Sequence, residues 1–279
     1  FFIYMKKKYW AFLIGSWCLS VGMQAAKVDT LSVHSDAMNK EVQVITICPD
    51  KAMAGEKCPV LYLLHGYGGN AGTWLGIKPE LPRIADKEGI IFVCPDGKNS
   101  WYWDSPLNKE YRYETFVSKE LVNYIDKNFT TKVERGGRAI TGLSMGGHGS
   151  LWLSIRHKDV FGGGGSMSGG LDIRPFPNNW EMKKQLGEEA SNKQRWDEHT
   201  VINQLDKIKN GDLAVIIDCG CDDFFLEVNN DFHKKLLKYK IDHDFLVRPG
   251  SHNGEYWKNS IDYQILFFKK FFDKNKGKN

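Results

Sequence analysis

The chain has 279 residues, 42% hydrophobic, 13% aromatic and 26% charged, with a formal charge of +4. This composition excludes a disordered chain, a collagen-like repeat and a small disulfide-stapled scaffold, and the length is ample for a substantial core. Lys6, Lys7 and Lys8 fall in the first 26 residues, which hold no acid, so the remainder carries 35 bases against 34 acids. That balance lacks the basic blocks of a nucleic-acid surface, apart from the frayed, Lys-rich end "FFDKNKGKN".

The first element is "MKKKYWAFLIGSWCLSVGMQAAK", with a basic start, an apolar run from Tyr9 to Val21, and small residues at Ala25 and Ala26. It reads as a signal peptide over residues 1–26, cleaved after Ala25 or Ala26, so a periplasmic or secreted protein is expected. The run is shorter than the ~20 residues of a spanning helix, so no stable membrane anchor is expected. "FFIY", before Met5, reads as translated upstream sequence.

Eight apolar or β-branched runs follow: "LSVHS" (31–35), "EVQVITIC" (41–48), "VLYLLHG" (60–66), "GIIFVCPDG" (89–97), "RAITG" (138–142), "GGGGSMSGG" (162–170), "LAVIIDCG" (213–220) and "DFLVRPG" (244–250). The first two alternate, as an antiparallel edge does. The others are nearly continuous, as strands covered on both faces are. Helical periodicity marks 113–129, 148–157, 227–240 and 256–272. Alternating strand and helix predicts an α/β fold: a mostly parallel sheet of about eight strands with helices on both faces. Cys48 and Cys58 each sit beside a proline, at the two ends of one connection, and are candidates for a bridge. Cys94 and Cys219 end apolar runs and read as buried free thiols. The cysteine spacing suits neither a zinc site nor a redox pair.

Catalytic groups in such sheets stand at the C-terminal ends of strands. Those ends here carry His65-Gly66-Tyr67, Gly142-Leu143-Ser144-Met145-Gly146, Cys221-Asp222-Asp223-Phe224 and Ser251-His252-Asn253. A Gly-x-Ser-x-Gly pattern alone arises by chance roughly 0.15 times in such a chain, so the partners carry the inference. Serine, acid and histidine occur in that order, which is the triad order of the α/β-hydrolase fold. A serine hydroxyl needs an adjacent base, and His252 fills that role. His65 is the competing base, but it precedes the serine. A carboxylate on the other ring nitrogen would fix the tautomer. Asp222 and Asp223 are equally placed for that. The backbone N–H groups of Met145 and Tyr67 are the expected oxyanion donors. His148, one turn into the following helix, reads as packing or pocket lining. This chemistry is complete without cofactor or metal.

The segments "PVLYLLHGYGGNAGTW" (59–74), "PDGKNSWYWDSP" (95–106), "YETFVSKELVNYID" (113–126), "ITGLSMGGHGSL" (140–151), "DCGCDDFF" (218–225) and "RPGSHNGEYW" (248–257) together resemble the esterase D / feruloyl esterase branch of the α/β-hydrolases. That branch includes S-formylglutathione hydrolases, tributyrin-type carboxylesterases and mycolyltransferases. The resemblance runs from about Asp29 to the last helix and implies one catalytic domain over 27–279. By it, Ser144 is the nucleophile, His252 the base, and Asp223 rather than Asp222 the acid. Tyr67 and Met145 match the oxyanion positions. Residues 171–200 correspond to a variable cap, whose Trp180 and Trp196 either line the cleft or pack on the domain. His65, Trp74, Trp101, Trp103 and His148 are further pocket candidates, and a buried aromatic cluster is the alternative for "WYWDS". The family usually has Asp-Trp after the histidine. This chain has Asn253-Gly254, which implies a wider pocket there. The expected activity is hydrolysis of short-chain or aromatic acyl esters, such as acetyl or feruloyl groups on polysaccharides. Acyl transfer and thioester hydrolysis are the alternatives, and a non-catalytic binding protein the remotest. The partner expected is a small-molecule or carbohydrate-linked ester.

Overall fold

The computed structural model describes residues 26–276. The signal-peptide reading therefore lies, but for Ala26, outside the described residues. Eight strands form one sheet: β1 (Lys27–Ser35), β2 (Lys40–Cys48), β3 (Val60–Leu64), β4 (Ile91–Pro95), β5 (Arg138–Gly142), β6 (Gly163–Met167), β7 (Ala214–Gly220) and β8 (Asp244–Arg248). Their order is β1-β2-β4-β3-β5-β6-β7-β8. β1 pairs antiparallel with β2, and β2 with β4; every other pairing is parallel.

Five helices matter for the site. They are α1 (Leu81–Glu88), α2, α3 (Met145–Arg156), α4 (Leu226–Lys238) and α5 (Gly254–Lys274). In α2, Tyr113–Thr115, a π-helical stretch Phe116–Leu121, and Val122–Asn128 run on without a break. The period of two along β3 sorts its side chains. Val60, Tyr62 and Leu64 join the core under α2 and α3, while Leu61 and Leu63 join the core under α1 and α5. Each such residue, fully buried, stabilises the fold by roughly 1.5–3 kcal/mol.

The glycines of β6 answer to close packing. A Cβ at Gly164 would stand 2.1 Å from Ser154 Oγ of α3, and one at Gly165, on the other face, 2.1 Å from Gln264 Oε1 of α5. Ser150 Oγ of α3 also donates to the Gly165 carbonyl. The helix that follows Ser144 thus lies unusually near the sheet. β8 departs from the continuous burial expected of it. It is last in the order, and Asp244 and Val247 reach water. Cys48 and Cys58 are separate buried thiols, so the candidate bridge is absent; Cys94 and Cys219 are buried and free.

α2 is fastened to α3 by Glu114. Its carboxylate accepts from Trp152 Nε1 at 2.9 Å and Arg156 Nε at 2.8 Å, and meets His157 Nε2 at 2.9 Å. Burial opposes the Glu114 charge, but the bonds from His157, Arg156 and Trp152 outweigh it and hold the carboxyl below its ordinary value of 4.5. A depressed carboxyl contributes stability that is present above the unfolded value and lost as pH falls through the folded one. Urea unfolding of Glu114→Gln should therefore show a lower midpoint at pH 7 and a shallower loss of stability below pH 4.5 than the unsubstituted chain. Parallel pH profiles would remove Glu114 from this role.

Candidate active site

The turn after β5 is the most constrained backbone in the region. Ser144 has φ 54° and ψ −119°, a left-handed conformation for a residue with a side chain. Such strain costs on the order of 1–3 kcal/mol and persists only where surroundings impose it. Here they do. Leu143 N–H donates to Leu64 O at 3.2 Å, Ser144 N–H to Met167 O at 2.9 Å, and Gly146 N–H to Leu143 O at 2.7 Å. A Cβ at Gly142 would stand 2.4 Å from Gly146 O, and one at Gly146 2.4 Å from Leu64 O. Both flanking positions therefore exclude any side chain. Ser144 is the only residue from 138 to 155 that is not fully buried.

His252 reaches Ser144 from the loop between β8 and α5, with Nε2 2.9 Å from Ser144 Oγ. Its Nδ1 stands 2.9 Å and 3.1 Å from the two oxygens of Asp223. A carboxylate only accepts, so Nδ1 carries the proton and Nε2 offers its lone pair to the serine hydroxyl. Asp223 is buried and is further held by the Phe225 N–H, 2.8 Å from Oδ1. Its neighbour Asp222 is exposed. The structure thus joins Ser144, His252 and Asp223 in one hydrogen-bonded chain and leaves Asp222 outside it.

The loop after β3 passes directly beside the serine. A Cβ at Gly66 would meet Ser144 Cβ at 3.2 Å. Among the described residues, neither Tyr67 N–H nor Met145 N–H donates to a protein acceptor. Both are free to bind an oxygen developing negative charge there. His65 holds this loop and does not line the cleft. Gly97 N–H donates to its Nε2 at 2.8 Å, so Nδ1 carries the proton and donates to Gly66 O at 2.7 Å. Tyr102 hydroxyl adds a bond to His65 O at 3.1 Å.

Four more pocket candidates also prove to be interior. Trp74 packs under the sheet and donates to Leu64 O at 3.0 Å. Trp101 and Trp103 stack at 5.6 Å, and Trp103 Nε1 donates to His148 Nε2 at 2.8 Å. His148 in turn donates from Nδ1 to Gly170 O at 2.8 Å, and burial pushes its pKa down to about 3. "WYWDS" is therefore the buried aromatic cluster. The physical reason is that indole area gains more from burial than from lining a wet cleft once each N–H has a partner; Trp101 Nε1 alone lacks one. Trp196 is likewise fully buried. Trp180 alone of the seven stays partly open to solvent, stacked on Phe224 at 5.7 Å.

Three functional neighbours carried no role in the sequence reading. Phe224 stands 4.3 Å from the His252 ring, and Trp257 meets that ring edge-on at 4.9 Å. Both lie inside quoted motifs, and no sequence signal gave their orientation. Asn253 caps α5, accepting from Tyr256 N–H at 3.0 Å. No atom lies within 4 Å of a Cβ built on Gly254, so the space left by the missing side chain is open.

The third is Asp218, fully buried in β7. It pairs with Arg248 Nη2 at 2.5 Å and accepts from the Tyr256 hydroxyl and from Ser260 Oγ at 3.1 Å. Arg248 precedes His252 by four residues and Tyr256 follows it by four, so one carboxylate ties down both arms of the histidine loop. A cavity of about 720 Å³ lies elsewhere, beside Glu114, Trp152, Arg156 and His199. Its lining includes no serine, threonine or cysteine, and Ser144 is not part of it. Among the described residues no group of three or more His, Cys, Asp or Glu is arranged to hold a metal, and no helix is long and apolar enough to cross a membrane.

The sheet order and the turn at Ser144 define an α/β-hydrolase fold. Residues 35–268 match the family model described as "Putative esterase", and the chain belongs to that family. It is 25% identical over 269 residues to an acetyl esterase of Caldicellulosiruptor saccharolyticus, covering 87% of this chain and 98% of that one. An S-formylglutathione hydrolase of Arabidopsis thaliana is 29% identical over 198 residues, covering 63% and 68%. A solved ferulic acid esterase superposes with a TM-score of 0.77 at 27% identity, covering 89% and 99%. The protein is a carboxylic ester hydrolase.

Breaking a buried ion pair by removing one partner typically costs about 3–5 kcal/mol. Arg248 keeps some contact with water, so the cost here falls at the lower end. Asp218→Asn should lower stability by about 3 kcal/mol in urea unfolding, whereas the exposed Asp222→Asn should stay within about 0.5 kcal/mol. Equal midpoints for the two variants would contradict this role for Asp218.

Proposed function

We propose that this protein is an exported serine carboxylesterase that hydrolyses short-chain or aromatic acyl esters, with acetyl or feruloyl groups on polysaccharides as the favoured substrates. The observation that carries the mechanism is the unbroken chain from Ser144 Oγ through His252 to buried Asp223. His252 takes the serine proton as Oγ attacks the ester carbonyl. The tetrahedral oxyanion is bound by Tyr67 N–H and Met145 N–H. On collapse the acyl–oxygen bond breaks, and His252 returns the proton to the departing alcohol. Water then repeats the sequence on the acyl-enzyme, with His252 again the base. Asp223 fixes the tautomer throughout and stabilises the imidazolium.

Support for the substrate class comes from likeness. The acetyl esterase matches over almost its whole length, and the solved ferulic acid esterase shares the fold at 27% identity. A bifunctional endo-1,4-beta-xylanase/feruloyl esterase of Xylanibacter ruminicola is 34% identical over 124 residues, although this chain covers only 17% of it. Export rests on residues 1–26.

Replacement of Ser144 by Ala should reduce p-nitrophenyl acetate hydrolysis by at least ~10⁴-fold. Near-normal turnover in that variant would refute the mechanism. Asp223→Asn should cost about 10²–10⁴-fold in kcat and Asp222→Asn less than about twofold; the reverse ranking would assign the wrong neighbour. Expressed in a Gram-negative host, the full chain should reach the periplasm with a new N-terminus at Ala26 or Lys27, as read by intact mass. An uncleaved cytosolic product would overturn export.

A further inference from the structure

We propose that Phe224, extended by Trp180, forms the subsite for the alcohol half of the ester and selects a sugar ring there. This rests on the esterase reading above and goes beyond it, because it assigns one side of the bond to one surface.

The turn that buries Asp223 and Phe225 turns the residue between them outward, and Phe224 is 52% exposed. Its ring lies against His252 at 4.3 Å with a tilt of 35°. Trp180 stacks on Phe224, with centroids 5.7 Å apart and planes at 21°. A second aromatic side chain, Trp257, meets the His252 ring edge-on at 87° and donates from Nε1 to Ser168 Oγ at 3.2 Å. His252 therefore has two aromatic walls, of which the outer one, Phe224, is the more exposed and Trp257 is partly buried.

The chemistry says which half of the substrate meets that outer wall. In acylation Ser144 Oγ bonds the acyl carbon, the bond from acyl carbon to alcohol oxygen breaks, and the proton held by His252 Nε2 passes to that oxygen. The departing alcohol must lie on the His252 side of Ser144. The carbonyl oxygen is drawn to the other side, toward the Gly66–Tyr67 loop. The Phe224 ring is thus continuous with the proton donor, and Trp180 leads on from it. The path beyond His252 is also open, for Asn253, Gly254 and Glu255 are exposed and nothing stands within 4 Å of a Cβ on Gly254.

A partly exposed aromatic pair that is open on one flank suits a ring with an apolar C–H face and a hydroxyl rim. The ring covers the aromatic surface while its hydroxyls stay in water. A simple alkyl alcohol would leave the surface wet. The open flank lets an oligosaccharide continue past the site.

The test holds the acyl group constant and changes the alcohol. Acetylated xylo-oligosaccharide, phenyl acetate and ethyl acetate are hydrolysed by the full chain and by Phe224→Ala in a pH-stat. The ratio of kcat/KM for the sugar ester to that for ethyl acetate should fall about tenfold in the variant, carried by KM, and Phe224→Trp should restore it. An unchanged ratio, with both esters losing equally, would make Phe224 a mere prop for His252 and overturn the proposal. A ratio that falls for phenyl acetate and not for the sugar ester would replace the sugar with an aryl alcohol. If the unsubstituted chain turns over ethyl acetate but no sugar ester, the subsite fails while the esterase reading stands. Failure on all three esters would remove both.

Discussion

Everything at the site depends on the forced turn at Ser144. Its left-handed backbone is unfavourable in isolation, and the surrounding contacts compensate for it. The start of α3 is pressed onto the end of β3 so closely that Gly142 and Gly146 admit no Cβ. The same closeness explains Gly164 of β6, which faces Ser154 of α3, whereas Gly163 and Gly165 answer to Phe268 and Gln264 of α5. The packing that makes Ser144 protrude also sets the distance between helix and sheet. Relaxing the turn and loosening the core are therefore one event, and pre-organisation of the serine is maintained by the fold as a whole.

Asp223 and His252 are placed by a different device. Two aspartates five residues apart divide the work between the end of β7 and the loop after it. Asp218, inside the strand, is consumed by Arg248, Tyr256 and Ser260, and so anchors both arms of the loop that carries His252. Asp223, beyond the strand, turns to the imidazole itself. Burial makes each carboxylate dependent on its partners, because an unpaired buried charge is costly. A buried network is thereby spent on holding the position of one histidine.

Much of this was legible in the sequence. Alternating strand and helix patterns foretold the mostly parallel sheet, and the groups expected at strand ends are the ones that meet. β8 was misread as fully covered, since its apolar residues look like those of an interior strand and nothing local reports that it lies last in the order. The aromatic candidates misled for a related reason. Trp74, Trp101 and Trp103 sit near strand ends, where cleft and core are adjacent, and an indole serves either once its N–H is bonded. Periodicity carries no information about which of these a side chain enters.

By itself the sequence determined the elements, the serine turn, and the order of serine, acid and histidine, because these follow from backbone propensity and side-chain chemistry within short windows. The choice between Asp222 and Asp223 rests on family resemblance; the tertiary structure buries Asp223 against His252 and leaves Asp222 in water. The tertiary structure alone decided that His65 clamps a loop, that Asp218 braces the histidine, and that Phe224 stands open beside it. Each of those facts depends on contacts between residues tens to more than a hundred positions apart, or on which way a loop turns its side chains. Long-range packing sets both, and no local pattern encodes either.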